Sequence, residues 1–361
     1  MGQVGRMADI FANFSCEEIS VPVYDLRGSC YEIGFEYGSR DADNIHRVLS
    51  HYVDVSGWYG SSLVDVCSLE IDAFEFWGVD GLAELRGVAD GAGVPVECLI
   101  YHNFQKYAVG ACTHFAGEFG GKSNFYHGAN IDVPAFLILR DSLTFHLQRR
   151  FVDGKIPYVI PCMAGVLMGI GGFNACGLFV SSSMLVDVQQ TKQVTGMFHG
   201  RIICELLSLC SNLDEAVQFL SGVKGWGGWS VAVSMPKERR VIYAEYHEDK
   251  VIIDTKNNQF ICSNHSQLFT TDGIKIPDHS RLRYERLKEL LFCNDNSVTS
   301  ATVLFDKFNS IKKTESKFRT MNTIFRTDHV VSTLTDNTGN YYFALTKDAE
   351  QKKWQKIWNN Y

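Results

Sequence analysis

Eleven cysteines, at positions 16, 30, 67, 98, 112, 162, 176, 204, 210, 262 and 293, are the first residues to weigh as chemistry. Their number is odd and none forms a CxxC pair, so neither a disulfide framework nor a zinc ribbon fits, and a reducing, cytoplasmic setting is expected. No phosphate loop, GxGxxG, HExxH or GxSxG signature is present, which leaves catalysis to a simple nucleophile. Cys112 stands out by position. It follows Tyr107-Ala108-Val109-Gly110-Ala111, where helical texture gives way to strand texture, and precedes the β-branched Thr113. A cysteine at the start of a buried strand also serves as a small core residue, and the other ten are read that way, or as idle thiols. Otherwise the Cys112 thiolate would act as a nucleophile.

The elements that would hold it change character along the chain. Up to about residue 110 the pattern is mainly helical, with apolar residues at three- and four-residue spacing over Glu32 to Ser50 and Leu82 to Ala92. Beyond Cys112, Phe125 to Ile131, Tyr158 to Ile160, Gly165 to Ile170, Leu178 to Ser183, Ser230 to Met235, Val241 to Tyr246, Phe260 to Ser263 and Tyr341 to Ala344 read as short strands. Gly200 to Leu209 and Arg281 to Phe292 read as helices, and Asn212 with Glu215 three residues later predicts an N-cap. Tyr158 to Val186 is uncharged, yet Pro161, Asn174 and its glycines interrupt it before the roughly 18 apolar residues of a membrane span. Two buried strands are expected instead, around a turn at Gly171-Gly172-Phe173-Asn174-Ala175-Cys176-Gly177, with Asn174 in a left-handed conformation. Strands and helices in blocks argue for an α+β layered domain.

Composition narrows the function. With 361 residues, 45% hydrophobic and 21% charged, the chain can bury a substantial core. Its formal charge of −7, with no basic run longer than a pair, speaks against a nucleic-acid partner. The first twenty residues offer no secretory signal and no span is legible, so neither export nor a membrane is expected.

The residues around Cys112 resemble the acyl-coenzyme A:6-aminopenicillanate acyltransferase family, which includes the β-alanyl-dopamine hydrolase-like proteins and belongs to the N-terminal-nucleophile hydrolases. Tyr31-Glu32-Ile33-Gly34-Phe35-Glu36-Tyr37-Gly38 is similar to its "F-E-I-G-x-x-x-G" opening, and Leu82 to Ala92 to its "E-I-x-G-I-A-x-G-A" helix. Gly110-Ala111-Cys112-Thr113 stands where the family has its "G-C-T" cleavage site. Gly128-Ala129-Asn130-Ile131-Asp132 resembles "G-x-N-x-D", Gly171 to Leu178 "G-x-N-x-x-G-[LV]", and Ser263-Asn264-His265 "[TS]-N-H". Six motifs in order make the resemblance specific.

The resemblance implies an αββα four-layer sandwich and a precursor that cuts itself between Ala111 and Cys112. Residues 1–111 would then be a mostly helical small chain and residues 112–361 the nucleophile-bearing chain, staying associated as one domain. The freed α-amine, titrating near 7.7–8.0, would take the proton of the thiol, near 8.5. It further implies that Asn264 donates to the oxyanion, that Asp132 holds the α-amine, and that Arg319 lies near the nucleophile. The substrate would be a small-molecule amide or acyl thioester, with no cofactor and no metal. Beside this set, Asn130, Trp229 in Gly225-Trp226-Gly227-Gly228-Trp229, and His114 are candidate substrate-binding residues, His114 sharing a strand face with Cys112.

Two departures bear on mechanism. Ala111 replaces the usual glycine before the scissile bond, and Ala129 stands where relatives carry Arg or Gln. They motivate an alternative, an uncleaved relative that binds a ligand or partner without catalysis. A papain-like pairing of Cys112 with His114 or His265 is disfavoured, because it wants a helix-borne cysteine.

Overall fold

A computed structural model describes residues 22–49, 69–105, 111–118, 124–132, 145–167, 171–188, 196–248, 250–270, 276, 278–292, 330–339, 341–346 and 355–358. Two sheets lie face to face. The eight-stranded sheet has the order β1 (Val23–Gly28), β4 (Phe145–Val152), β5 (Tyr158–Met163), β6 (Gly171–Asn174), β7 (Phe179–Met184), β8 (Gly225–Met235), β9 (Arg240–Glu248), β10 (Lys250–Asp254). The six-stranded sheet runs β11 (Phe260–Cys262), β2 (Ala111–Glu118), β3 (Phe125–Asp132), β12 (Val330–Asp336), β13 (Tyr341–Thr346), β14 (Gln355–Trp358). Their inner faces meet where β2 and β3 pack on β7, and β2 on β8 and β9.

Helices cover the outer faces. Against the eight-stranded sheet lie α1 (Cys30–Arg40), the kinked α2 (Leu69–Ala92) with its neighbour α3 (Val96–Gln105), then α4 (His199–Leu209) and α5 (Leu213–Gly222). On the six-stranded sheet, α6 (Asp278–Phe292) packs against β11 and β2. The layering is αββα, as expected.

That layering explains the uncharged stretch from Tyr158. Every residue of β5, β6 and β7 is buried, because these strands have helices over one face and the second sheet over the other. Inside it, the expected strand from Gly165 to Ile170 gives way to a turn: Val166 N–H donates to the Met163 carbonyl at 3.0 Å, and Gly165 sits at φ 68°. β5 instead runs on to Met163, while residues 168–170 lie outside the described set. The hairpin turn is also tighter than expected. Gly177, at φ 85°, takes the left-handed position, and Asn174 closes the turn through its side chain, its Oδ1 accepting from Cys176 N (3.0 Å) and Leu178 N (3.1 Å).

The leading segment is not purely helical. β1 pairs in parallel with β4 at the sheet edge, a strand that its mixed sequence VYDLRG hides from period-two reading. The helices after it lie in the expected region, though α1 ends at Arg40 with its C-cap at Asp41 and α2 begins already at Leu69, and the glycines of the two leading motifs have a physical role. A Cβ on Gly34 or Gly38 of α1 would lie 2.3 Å from the Glu84 or Val88 carbonyl oxygen of α2, and one on Gly87 or Gly91 would lie 2.2–2.3 Å from the Tyr31 or Phe35 carbonyl of α1. Two small-residue faces thus let the backbones touch. Ser29 caps α1 with a capping box to Glu32, and Asn212 caps α5 by accepting from Glu215 N at 2.9 Å.

The same segment is tied to the sheet by charge. Arg150 of β4, fully buried, pairs with Glu84 of α2, and Lys155 donates to Asp80 at 2.6 Å. Residues on both sides of position 111 therefore share one core, with Ile33, Leu85 and Val88 packed in the cluster that also holds Ile160, Val180 and Ile203.

Candidate active site

Cys112 is the second residue of β2, a strand hydrogen-bonded on both sides, with Ile131 of β3 as its partner. It is 7% exposed, a buried position at the end of the sandwich. On the other side of β2, β11 ends at Cys262 and the chain turns through Ser263-Asn264-His265. That turn brings Asn264 to the cysteine: Cys112 N–H donates to Asn264 Oδ1 at 3.0 Å across 152 residues of sequence.

Asn264 is fully buried and its amide orientation is compelled by chemistry. Oδ1 meets only donors, the Cys112 amide and the Arg283 guanidinium, while Nδ2 meets acceptors, Ser183 Oγ at 3.1 Å and the Met184 carbonyl at 2.9 Å. Both amide hydrogens are thereby committed. An oxyanion donor must aim its N–H at the reacting carbonyl; in this arrangement Asn264 presents Oδ1 to the Cys112 nitrogen and its amide hydrogens to Ser183 and Met184.

The second group at Cys112 is Arg283, which the sequence reading passed over. Its Nη1 donates to the Cys112 carbonyl at 2.5 Å and its Nη2 to Asn264 Oδ1, with the side chain fully buried. The signal was present. Ser280, Arg283 and Leu287 repeat at i, i+3 and i+7, the inward stripe of α6, and all three are buried. A cation on a core stripe marks a site or a buried pair.

The turn that carries Asn264 is itself held from two sides. Ser280 of α6 accepts from Asn264 N at 2.9 Å and meets His265 Nδ1 at 2.8 Å. Beyond it, Asp187 accepts from Ser266 N at 2.9 Å, and the buried Glu245 carboxylate accepts from the backbone of Gln267 (2.6 Å), Leu268 (2.9 Å) and Phe269 (3.1 Å). Burial raises the Asp187 carboxyl above its ordinary value and lowers His265 below the usual imidazole range. The loop is thus wrapped on internal carboxylates, which gives it one conformation.

Of the other expected site residues, Asp132 is the Cα partner of Ala111, and Asn130, buried, is the partner of Thr113. His114 lies two residues beyond Cys112 with no exposure, its ring nitrogens meeting Ser181 Oγ at 2.9 Å and Ser230 Oγ at 3.0 Å. Trp229 is not brought to the cysteine. It precedes Ser230, which faces the six-stranded sheet, and so faces the helices, stacked on His199 of α4 at 3.8 Å. Arg319 lies outside the described residues. No group of three or more metal-ligating side chains occurs among the described residues, and none of their helices is long and apolar enough to cross a membrane.

The four-layer αββα sandwich is the layering of the N-terminal-nucleophile fold, and a buried cysteine stands at the start of one of its central strands with its nitrogen and carbonyl both held by side chains. The family described as Acyl-coenzyme A:6-aminopenicillanic acid acyl-transferase matches residues 128–348, more than half of the chain, and the protein belongs to it. That family is one of acyl-transfer enzymes. The matched region begins beyond Cys112 and includes Asn130, Asp132, Asn264 and Arg283. Comparison with curated proteins gives no match.

Among solved structures, the chain is similar to penicillin V acylase from Agrobacterium tumefaciens, with 15% identity, a TM-score of 0.46, and coverage of 67% of this chain and 84% of that one. It is also similar to the N-acylethanolamine-hydrolyzing acid amidase ortholog of Caenorhabditis elegans (14%, TM-score 0.44, 62% and 92% covered). A mutant of conjugated bile acid hydrolase from Clostridium perfringens is a further similar structure (13%, TM-score 0.44, 69% and 97% covered).

Proposed function

We propose that this protein cleaves itself before Cys112 and then transfers the acyl group of a small-molecule amide or thioester to water or an amine through an acyl-cysteine. The observation that carries the reading is the shared grip on Cys112, with its N–H on Asn264 Oδ1 and its carbonyl on Arg283. In the precursor the Cys112 thiol attacks the Ala111 carbonyl carbon, the C–N bond breaks, and the nitrogen leaves with the proton given up by sulfur. Water then opens the thioester and returns the thiol.

The α-amine so formed keeps Asn264 Oδ1 as its acceptor. One N–H is held there, which turns the nitrogen lone pair toward the thiol whose proton it takes. Arg283, a cation on the same oxygen, disfavours the ammonium form and keeps the amine able to act as a base. Asp132, the register partner of Ala111 in the β2–β3 ladder, is the second group this reading assigns to the amine. The two pieces stay together, because β1, α1 and α2 contribute a sheet edge, the Glu84–Arg150 pair and much of the core.

Intact mass under denaturing conditions tests the reading: wild type should give two chains, one ending at Ala111 and one beginning at Cys112, and Cys112→Ala a single inactive chain. A wild-type protein that stays whole and turns over nothing would support the binding relative that Ala111 and Ala129 suggest. One that stays whole yet turns over amides would remove the α-amine as base.

A further inference from the structure

We propose that His114 is a positioning residue for the nucleophile, acting through a one-directional chain of hydrogen bonds that links Ser234, His127, Ser181, His114, Ser230 and Ser183. The chain crosses between the sheets. His114 and His127 come from β2 and β3, and the four serines from β7 and β8 of the opposite sheet. Ser234 Oγ lies 2.7 Å from His127 Nδ1, and Ser181 Oγ lies 2.6 Å from His127 Nε2 and 2.9 Å from His114 Nδ1. His114 Nε2 lies 3.0 Å from Ser230 Oγ, which reaches the Ser183 carbonyl at 3.1 Å. All six residues are buried.

Counting hydrogens sets the direction. A serine hydroxyl has one hydrogen and a neutral imidazole has one N–H. Burial holds both rings neutral, lowering His114 to about 3 and His127 well below the imidazole range. The rings they touch, Phe179, Tyr243 and Phe260, bring no charge. Two polarities are then conceivable. If Ser230 donates to the Ser183 carbonyl, it accepts from His114 Nε2–H; His114 Nδ1 accepts from Ser181, and Ser181 accepts from His127 Nε2–H. Ser234 completes the chain by donating to His127 Nδ1, so every contact among the six is a hydrogen bond, and the Cys262 thiol, 3.4 Å from Ser230 Oγ, then meets an oxygen whose hydrogen is already given to the Ser183 carbonyl. In the reverse polarity Ser230 donates to His114, and its oxygen faces the Ser183 carbonyl with no hydrogen between them, a buried contact of two acceptors. The first polarity wins, with both rings protonated on Nε2.

The chain ends where the site begins. Ser183, fixed through its carbonyl by Ser230, accepts from Asn264 Nδ2 through its hydroxyl at 3.1 Å, and Asn264 holds Cys112 N. His114 is also two residues from Cys112 on the same strand, facing the same side. Chain ends fray unless tied. Once Cys112 is a terminus, the two bonds of His114 to the opposite sheet are the nearest directional anchor on that face of β2. The catalytic part of this proposal rests on Cys112 as nucleophile; the protonation pattern does not.

Histidine-selective ¹⁵N labelling and long-range ¹H–¹⁵N spectra read the tautomers directly, with His114→Gln and His127→Gln assigning the signals. Both rings should show a protonated Nε2 and a bare Nδ1, unchanged between pH 5 and 8. An Nδ1–H form, or titration near the ordinary imidazole pKa, would overturn the chain. For positioning, His114→Phe fills the space without bonds and should lower kcat roughly 10- to 100-fold with KM little changed, while His114→Gln, which keeps one donor and one acceptor, restores most of it. Equal activity of His114→Phe and wild type would overturn the positioning role, as would a Gln variant as poor as Phe. If either variant fails to fold, the wild-type tautomers still decide the chain. Full activity in Cys112→Ala would instead remove the nucleophile and leave the tautomers standing.

Discussion

Replacing Arg283 by Met should move the pH profile of the cleaved enzyme. The Cys112 nitrogen and the Arg283 guanidinium both donate to Asn264 Oδ1. Two donors on one oxygen at ordinary hydrogen-bond lengths stand about 4.5 Å apart. At an effective dielectric of about 20, two unit positive charges at that distance repel by about 3.7 kcal/mol, which is about 2.7 pKa units. Solvent and relaxation reduce this, so a shift of about 1–2 units is the working figure. The sign is definite. The neighbouring cation lowers the amine's pKa; without it the amine stays protonated to higher pH, and activity, which needs the neutral amine, is lost below that higher value. The acid limb of kcat/KM should therefore rise by about 1–2 units in Arg283→Met and stay near its wild-type position in Arg283→Lys, which keeps the charge. The assay is kcat/KM on a chromogenic amide from pH 5 to 10, with cleavage of each variant verified by mass. A limb that does not move in Arg283→Met, in protein that is cleaved and folded, would refute the electrostatic role of Arg283 and leave it a structural clamp.

Asn264→Ala removes the acceptor shared by the Cys112 nitrogen and the buried Arg283 guanidinium and should lower kcat; unchanged turnover in folded protein would take Asn264 out of the site. Gly87→Val places a branched side chain where even a Cβ would lie 2.2 Å from the Tyr31 carbonyl, so α1 and α2 must part, and urea unfolding should show a loss of about 1–3 kcal/mol or more. Glu84→Ala leaves the buried Arg150 without its carboxylate and should cost about 3–5 kcal/mol, seen as release of the leading piece of the cleaved protein at lower urea than in wild type. His114, His127, His199 and His265 are all held below the ordinary imidazole pKa by burial, so the unfolded chain binds more protons below about pH 6.5. Stability of uncleaved Cys112→Ala should therefore fall from pH 7 to pH 5, by up to about 1.4 kcal/mol per histidine per pH unit, and a flat urea midpoint over that range would contradict neutral buried rings.

Local pattern carried much of the architecture. Glu32-Ile33-Gly34 through Gly38 and Gly87 through Gly91 show in sequence as a helix pair whose small residues repeat every four, and the structure presses those faces together. Asn212 with Glu215 spells its cap, and β3, β5, β7, β8, β9, β11 and β13 announce themselves by apolar runs between turns, whereas β4, β10 and β12 do not. Cys112 was legible from its place at a change of texture and from the Gly110-Ala111-Cys112-Thr113 motif.

What the sequence could not carry is whatever depends on which face of an element meets which neighbour. β1 was hidden because it is an edge strand with mixed polarity, and its parallel pairing with β4 joins residues more than 100 positions apart. Asn264 was found as a residue but not as an acceptor, since the direction of its amide is set by Ser183, Met184 and Arg283 from three separate elements. Arg283 passed as one cation among several on a charged helix, and only the docking of α6 on β2 turns it inward. The same holds for His114 and Trp229. Strand alternation puts each on a face, but only the closure of the two sheets makes His114 a link between them, and only the position of α4 makes Trp229 a stacking partner for His199. Residue types and spacing along one strand or helix are local properties, whereas the partners of a buried polar atom are set by the packing of elements distant in sequence, which no single stretch encodes.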